Sequence, residues 1–250
     1  MKMICRSIIV GVALLAGSAV AGAADLGSLK DYQPADPVPY SAIHSPARWY
    51  LRADVGYAVH DRPWMVENLS DELVQTGWEN TWTIGGGVGY YFSQNIRGDI
   101  TVDHRFASKV SGTNFALTAP FPGATREFDM KNTVVLANLY YDLGDRKWFS
   151  PYVGVGLGFT RNTTESGVVV GTVGTIDGKS KTDVAIALMA GFTHELRSGF
   201  NLDAGYRFLY LGSADTGDIQ GSPVTAEDPH LSHLTAHEFR VGLRYDLGRW

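Results

Sequence analysis

The residues of this 250-residue chain with types and spacing suited to chemistry cluster near its C-terminus. His230-Leu231-Ser232 sets an imidazole two residues from a hydroxyl, with Glu227 and Glu238 close in sequence. An imidazole that removes the hydroxyl proton, itself oriented by a carboxylate, would make Ser232 a nucleophile for acyl transfer. The same stretch offers His230, His233 and His237 as three imidazoles for a metal ion. Neither pattern has the frame its chemistry needs. The His-x-Ser pair lies in a long segment beside Pro229, and a motif acts only where its context holds the geometry. The histidines lack a cysteine or an acid at fixed spacing to complete a metal site. The sequence is therefore read as a non-enzyme, with no catalytic residue, cofactor or metal.

A second set of charged residues is more regular, and it leads back to the elements that must carry it. In the last segment Glu238, Arg240, Arg244 and Asp246 alternate with Phe239, Val241, Leu243, Tyr245 and Leu247. Successive strand residues point to opposite faces, so one face is apolar and the other charged. The pattern recurs around Leu51–Tyr57, Trp82–Phe92, Gly98–Val102, Val135–Leu143, Val153–Phe159, Val184–Phe192 and Leu202–Tyr210, which makes eight strands. They are long for soluble strands and match the roughly 9–11 residues a tilted strand needs to cross a bilayer. Short connections at 93–95, 144–150 and 197–199 alternate with long ones at 60–80, 106–130, 161–181 and 213–236. Short turns at one end and long loops at the other are the mark of an outer-membrane barrel. The expected fold is all-β, an eight-stranded antiparallel up-and-down transmembrane β-barrel over residues 48–250.

In lipid every backbone polar group must be paired within the protein, so the sheet must close, with its apolar face outward. The inward set is then Arg52, Asp54, Arg97, Asp99, Asp103, Arg105, Asp142, Glu195, Asp203, Arg207, Glu238, Arg240, Arg244 and Asp246. An eight-stranded barrel has room only for its own side chains. Buried charges persist when paired and hydrogen-bonded, so these residues are expected to fill the lumen as an ion-pair network; an ion path through it is the alternative. Inward glycines 85, 87, 89, 154, 156 and 158 would leave room for long arginine side chains or for strand curvature. Aromatics near strand ends, Tyr152 among them, would form two interfacial girdles. In the first long loop Trp64, Met65, Leu69, Leu73 and Trp78 are unusually apolar. They form a candidate surface for a host or other surface ligand, with packing between the loops as the alternative.

Composition fits this reading and excludes others. The chain is 44% hydrophobic, 12% aromatic and only 19% charged, with 29 glycines and a net charge of -5. Disorder needs more charge and fewer aromatics, and a negative balance disfavours a nucleic-acid partner. Lys2 and Arg6, the apolar run from Ile8 to Ala16 and the small residues 19–24 form a secretory signal peptide over residues 1–24. The run is too short to anchor as a spanning helix. Residues 25–47 hold Pro34, Pro37, Pro39 and Pro46 and read as a Pro-rich periplasmic tail. Beyond residue 24 there is no cysteine, so no intrachain disulfide is available.

Several segments resemble a known family. They are Trp49-Tyr50-Leu51-Arg52-Ala53-Asp54-Val55-Gly56-Tyr57, Leu139-Tyr140-Tyr141-Asp142-Leu143-Gly144, Pro151-Tyr152-Val153-Gly154-Val155-Gly156-Leu157-Gly158, Ala204-Gly205-Tyr206-Arg207-Phe208 and Gly242-Leu243-Arg244-Tyr245-Asp246-Leu247. Together they are similar to the small outer-membrane barrels that include opacity-type porins and OmpA-like barrel domains. The resemblance implies a surface role in envelope integrity, adhesion or host contact, with no shared catalytic residue. It implies outer-membrane lipid, lipopolysaccharide and the barrel assembly machinery as partners. Members commonly end in an outward-facing aromatic as an assembly signal; here Trp250 is aromatic but out of phase with Tyr245 and Leu247. His230-x-Ser232 also resembles the pair used by outer-membrane lipid A deacylases, which keeps a lipid A-modifying enzyme as a further alternative, beside a small passive pore.

Overall fold

Eight long strands follow the alternation in the sequence. In a computed structural model, which describes residues 49–67, 71–115, 121–144, 149–197, 199–221 and 229–247, they are β1 (Trp49–His60), β2 (Thr81–Tyr91), β3 (Ile96–Thr113), β4 (Thr125–Asp142), β5 (Ser150–Thr164), β6 (Lys179–Arg197), β7 (Phe200–Tyr210) and β8 (Thr235–Leu247). Each pairs antiparallel with its sequence neighbours, and β8 pairs with β1 from Trp49↔Leu247 to His60↔Ala236. The sheet therefore closes into the expected barrel and leaves no strand edge open among its eight members. One row of register partners starts at Phe192, runs through Ala204, Val241, Val55, Ile84, His104, Thr133 and Arg161, and returns to β6 at Thr182. The stagger between Phe192 and Thr182 is ten residues along β6, which tilts the strands as barrel closure requires.

Short connections join Tyr91 to Ile96, Asp142 to Ser150 and Arg197 to Phe200, at the expected end. The long-loop end differs from expectation in one respect. Strands β3 and β4 continue to Thr113 and from Thr125, so the second connection is a tall hairpin rather than a loop over 106–130. Its inward positions include Val110, Phe128 and Met130, all buried, while Lys109 and Asp129 are exposed. The apolar face has moved inside, and that inversion hides the hairpin from a search for lipid-facing alternation.

Short ladders fill the space around the strand tops. Segments 214–215, 230–232, 64–67 and 71–72 form a four-stranded sheet in that spatial order. Segment 74–78 pairs with β3, and 167–169 joins β4 to 175–176 and then 219–220. Beneath them lies a core containing Met65, Leu73, Trp78, Val110, Phe128, Met130, Leu211, Leu231 and Leu234, every one buried. This apolar cluster gathers mainly at the long-loop end and reaches down β4 and β6 through Val134, Leu136, Ala185 and Ala187, beside the charged lumen.

Candidate functional site

The lumen places charged side chains from facing strands within bonding distance. Arg52 on β1 grips Asp54 through Nε and Nη2 at 2.9 and 2.7 Å, and its Nη1 donates to Asp99 on β3 at 2.8 Å. Asp103 on β3 accepts from Arg207 Nη1 and Arg240 Nη2, both at 2.7 Å. Glu238 on β8 accepts from Arg207 at 2.6 Å and also pairs with Arg105. Arg244 meets Asp203 at 3.0 Å, and Arg97 meets Asp142 at 3.2 Å. Asp246 accepts from the Tyr91 hydroxyl at 3.0 Å and from Asn201 at 3.1 Å. Arg105, Arg207 and Glu238 are almost wholly buried, so each charge depends on these partners for the solvation it has lost.

Thirteen of the fourteen predicted lumen residues join these pairs. Glu195 is the exception. It keeps the inward phase but lies beside the β6 bulge at the short-turn rim, where its side chain is exposed.

Sequence reasoning missed the uncharged half of the network. Tyr50 donates to Asp99 at 3.0 Å, and Asn138 donates to the same carboxylate at 2.7 Å. The Arg97 guanidinium lies over the rings of both Tyr140 and Tyr152, 4.2 and 4.8 Å from their centroids, where both faces attract the cation, and the two rings meet each other edge to face at 5.7 Å. Tyr152 is therefore inward and buried, not part of the girdle to which it was assigned. The signal was available, since Tyr152 shares the phase of Gly154 and Gly156. The inward glycines also serve a different neighbour. A Cβ on Gly154 would lie 2.6 Å from Cδ1 of Tyr140, so this glycine admits a tyrosine ring rather than an arginine. A cavity of about 20 Å³ lined by Arg52, Asp54, Tyr140, Asp203, Arg207 and Arg240 remains at mid-lumen, roughly the room for one water molecule.

The first-loop surface is corrected by burial. Met65 and Leu73 are buried under the four-stranded sheet, and Trp78 stacks on His60 at 3.6 Å while its Nε1 donates to Ser108 at 2.9 Å. Their apolar character is satisfied by packing between loops and barrel top. Among the described members of that cluster only Trp64 stays open, at 53% exposure. Leu69 and Trp250 lie outside the described residues.

The residues suited to acyl transfer are not assembled into a relay. His230 Nδ1 meets Asp215 at 2.5 Å, and Ser232 Oγ lies 3.2 Å from His233. Lys181 on β6 reaches the same Asp215 at 3.1 Å. Partial burial would raise the Asp215 carboxyl, but the hydrogen bonds from His230 and Lys181 outweigh it and hold the group below its ordinary value. His237 turns to Tyr206 at 2.6 Å and to Asp61 at 3.3 Å. The three histidines thus face separate partners.

Residues 11–246 match the model of the outer membrane protein beta-barrel domain. The chain belongs to that family. An uncharacterized protein of Brucella suis biovar 1 is 30% identical over an alignment covering 99% of this chain and all of the relative. A putative adhesin of Rickettsia akari is 26% identical, covering 80% of this chain and 88% of the relative. The outer membrane protein OprG from Pseudomonas aeruginosa shares the fold, with TM-score 0.51 and 12% identity over 81% of this chain and 97% of that one. As an outer-membrane β-barrel, the protein presents its apolar outer belt to lipid, with exposed Val55, Ile84, Ile100, Leu139, Leu157, Leu188 and Val241 around the circumference. Aromatic pairs close the belt near its ends, Trp49 with Tyr90 at 5.1 Å and Tyr57 with Trp82 at 5.2 Å.

Proposed function

We propose that this outer-membrane barrel is a non-enzymatic surface protein that carries an adhesive or host-contact surface on its long loops, over a lumen filled by ion pairs. The observation that carries the reading is the loop-borne sheet of segments 64–67, 71–72, 214–215 and 230–232, which has a buried core beneath it and stands on a closed barrel. A rigid scaffold that presents ordered loops is the usual architecture of a binding surface. Relatives described as putative adhesins support the same role. Trp64, exposed on this sheet, is the residue best placed for contact, because aromatic side chains supply large contact area at interfaces. Lipopolysaccharide around the belt and the barrel assembly machinery during insertion complete the proposed partners, with Trp250 as the assembly signal.

The test is adhesion by a non-adherent Gram-negative host expressing the protein. Wild type should raise binding to epithelial cells or matrix proteins. Trp64→Ala should lower it while heat-modifiable gel migration, the signature of a folded barrel, stays unchanged. Wild type that inserts normally and confers no adhesion overturns the reading. A change in lipid A mass that disappears with Ser232→Ala would replace it with enzymatic lipid modification.

A further inference from the structure

The outer wall is not the same all the way round. On β4, β5 and β6 the apolar belt ends at Val135, Phe159 and Val184, register partners in one row and all exposed. The next outward row towards the long loops is His104, Thr133, Arg161 and Thr182. One row further on come Lys131, Thr163 and Ser180. The wall thus changes within two rows from hydrocarbon to cations set among hydroxyls.

Arg161 is exposed, and its side chain makes no ion pair or hydrogen bond among the described residues. Its directly opposed neighbours are Thr133 and Thr182. Lys131 is its diagonal neighbour, at a separation of about 7–8 Å or a little less, which suits one tetrahedral anion held between two long cationic side chains. Lys131 reaches Glu165 at 2.7 Å, on the side away from the belt. The hydroxyls are already ordered as a lattice, with His104 Nδ1 3.1 Å from Thr133 Oγ1 and Thr163 Oγ1 3.0 Å from Ser180 Oγ.

The adjoining wall gives the contrast. At the corresponding height on β7 and β8 the outward residues are Tyr206, Phe208, Thr235 and His237, with no lysine or arginine. There His237 and Thr235 both engage Asp61, at 3.3 and 2.6 Å. That wall meets the interface with aromatic rings and consumes its own carboxylate.

We propose that the wall formed by β4, β5 and β6 is a binding site for a phosphorylated lipid of the outer leaflet. The phosphate lies between Arg161 and Lys131, the hydroxyls of Thr133, Thr163 and Thr182 meet the headgroup, and the acyl chains run along Val135, Phe159 and Val184. Arginine is suited to phosphate because its fork donates two parallel hydrogen bonds, and the long loops place this end of the barrel in the outer leaflet. A free phosphate lacks the second half of the site, since the row beneath the cations is hydrocarbon-facing. The site stands apart from the loop sheet, so it survives if the adhesive reading fails.

The test uses the full-length protein in detergent micelles with added lipid A, read by native mass spectrometry. Bisphosphorylated lipid A should be retained in preference to the same lipid with its phosphates removed. Arg161→Gln should weaken retention about fivefold, as should Lys131→Gln, and the double variant should abolish the preference. Thr235→Val on the adjoining wall should leave it unchanged, and millimolar inorganic phosphate should not displace the lipid. Heat-modifiable migration confirms that each variant is folded, and Thr133→Val with Thr182→Val weakens retention by a second route. Equal retention of the phosphorylated and dephosphorylated lipids overturns the proposal. So does an undiminished preference in the folded double variant, or displacement by inorganic phosphate.

Discussion

The lower and upper interiors of this barrel are lined by the same strands and built from opposite chemistries. In the lower interior β3 turns Asp99, Asp103 and Arg105 inward and Ile100 and Val102 outward; beyond the bulge between Arg105 and Ser108 it turns Val110 inward and Lys109 outward. Strand β4 makes the same reversal, from inward Asn138 and Tyr140 beside outward Leu139 to inward Phe128 and Met130 beside outward Asp129. The cause is the medium outside. At the belt the outer face must be apolar, which leaves charge and tyrosine to fill the centre. Above it the outer face meets water, and the ordinary rule of an apolar core returns. Closure by ion pairs and closure by apolar packing should fail in different ways.

The largest effect is expected below. Glu238→Ala leaves Arg105 and Arg207 buried beside each other without their shared carboxylate. Losing one partner of a buried ion network costs about 3–5 kcal/mol, so the urea midpoint of the folded, heat-modifiable band should fall sharply and the whole barrel should unfold together. Leu231→Ala tests the upper region. It opens a cavity under the loop sheet, with a cost of roughly 2–3 kcal/mol, and the loss should be local. Limited proteolysis should nick residues 211–234 while the barrel band persists. If both variants unfold in one coincident transition, the two regions are one cooperative unit and the comparison is broken. Tyr140→Phe should cost about 1 kcal/mol, because the hydroxyl that accepts from Arg52 Nη1 and donates weakly to Asp99 at 3.4 Å is removed while the ring packed on Arg97 remains. A midpoint unchanged from wild type would show that the hydroxyl is not part of the network.

The two regions also differ in how much of each was legible. The lower one could be read because lipid imposes a strict two-residue rule over whole strands: Phe239 to Leu247 outward, Glu238 to Asp246 inward. Partners across the lumen could not be read: Arg207 meets Glu238 as its register partner on the next strand, but its pairing with Asp103 on β3 depends on the ten-residue stagger, which no single strand encodes. Tyr152 was misjudged because a ring near a strand end suits a girdle and a lumen equally; only phase separates it from Tyr141. The upper region was nearly illegible. Its strands are short, as in the two-residue pieces 71–72 and 214–215, and their pairing joins the first loop to the fourth. Met65 and Leu73 therefore looked like a candidate exposed surface when they were part of a buried core.

The smallest effect lies at the seam between the regions. Asp215, on the loop sheet, is held by Lys181 from the barrel wall and by its register partner His230. Its carboxyl titrates below the ordinary value in the folded protein, so the contribution is present above the unfolded carboxylate pKa of about 3.9. It is lost as pH falls from there through the lower folded value. These side chains are substantially exposed, so the pair contributes only about 0.2–1 kcal/mol. Hydrogen exchange over residues 211–220 and 229–234 should rise as pH drops below about 4 in wild type. In Asp215→Asn it should already be raised near neutrality and should lack that acid step, while exchange in β1 and β8 is unaffected. An acid step of equal size in the variant would show that other carboxylates hold the seam, and a step that spread into β1 and β8 would join the regions that the interior chemistry divides.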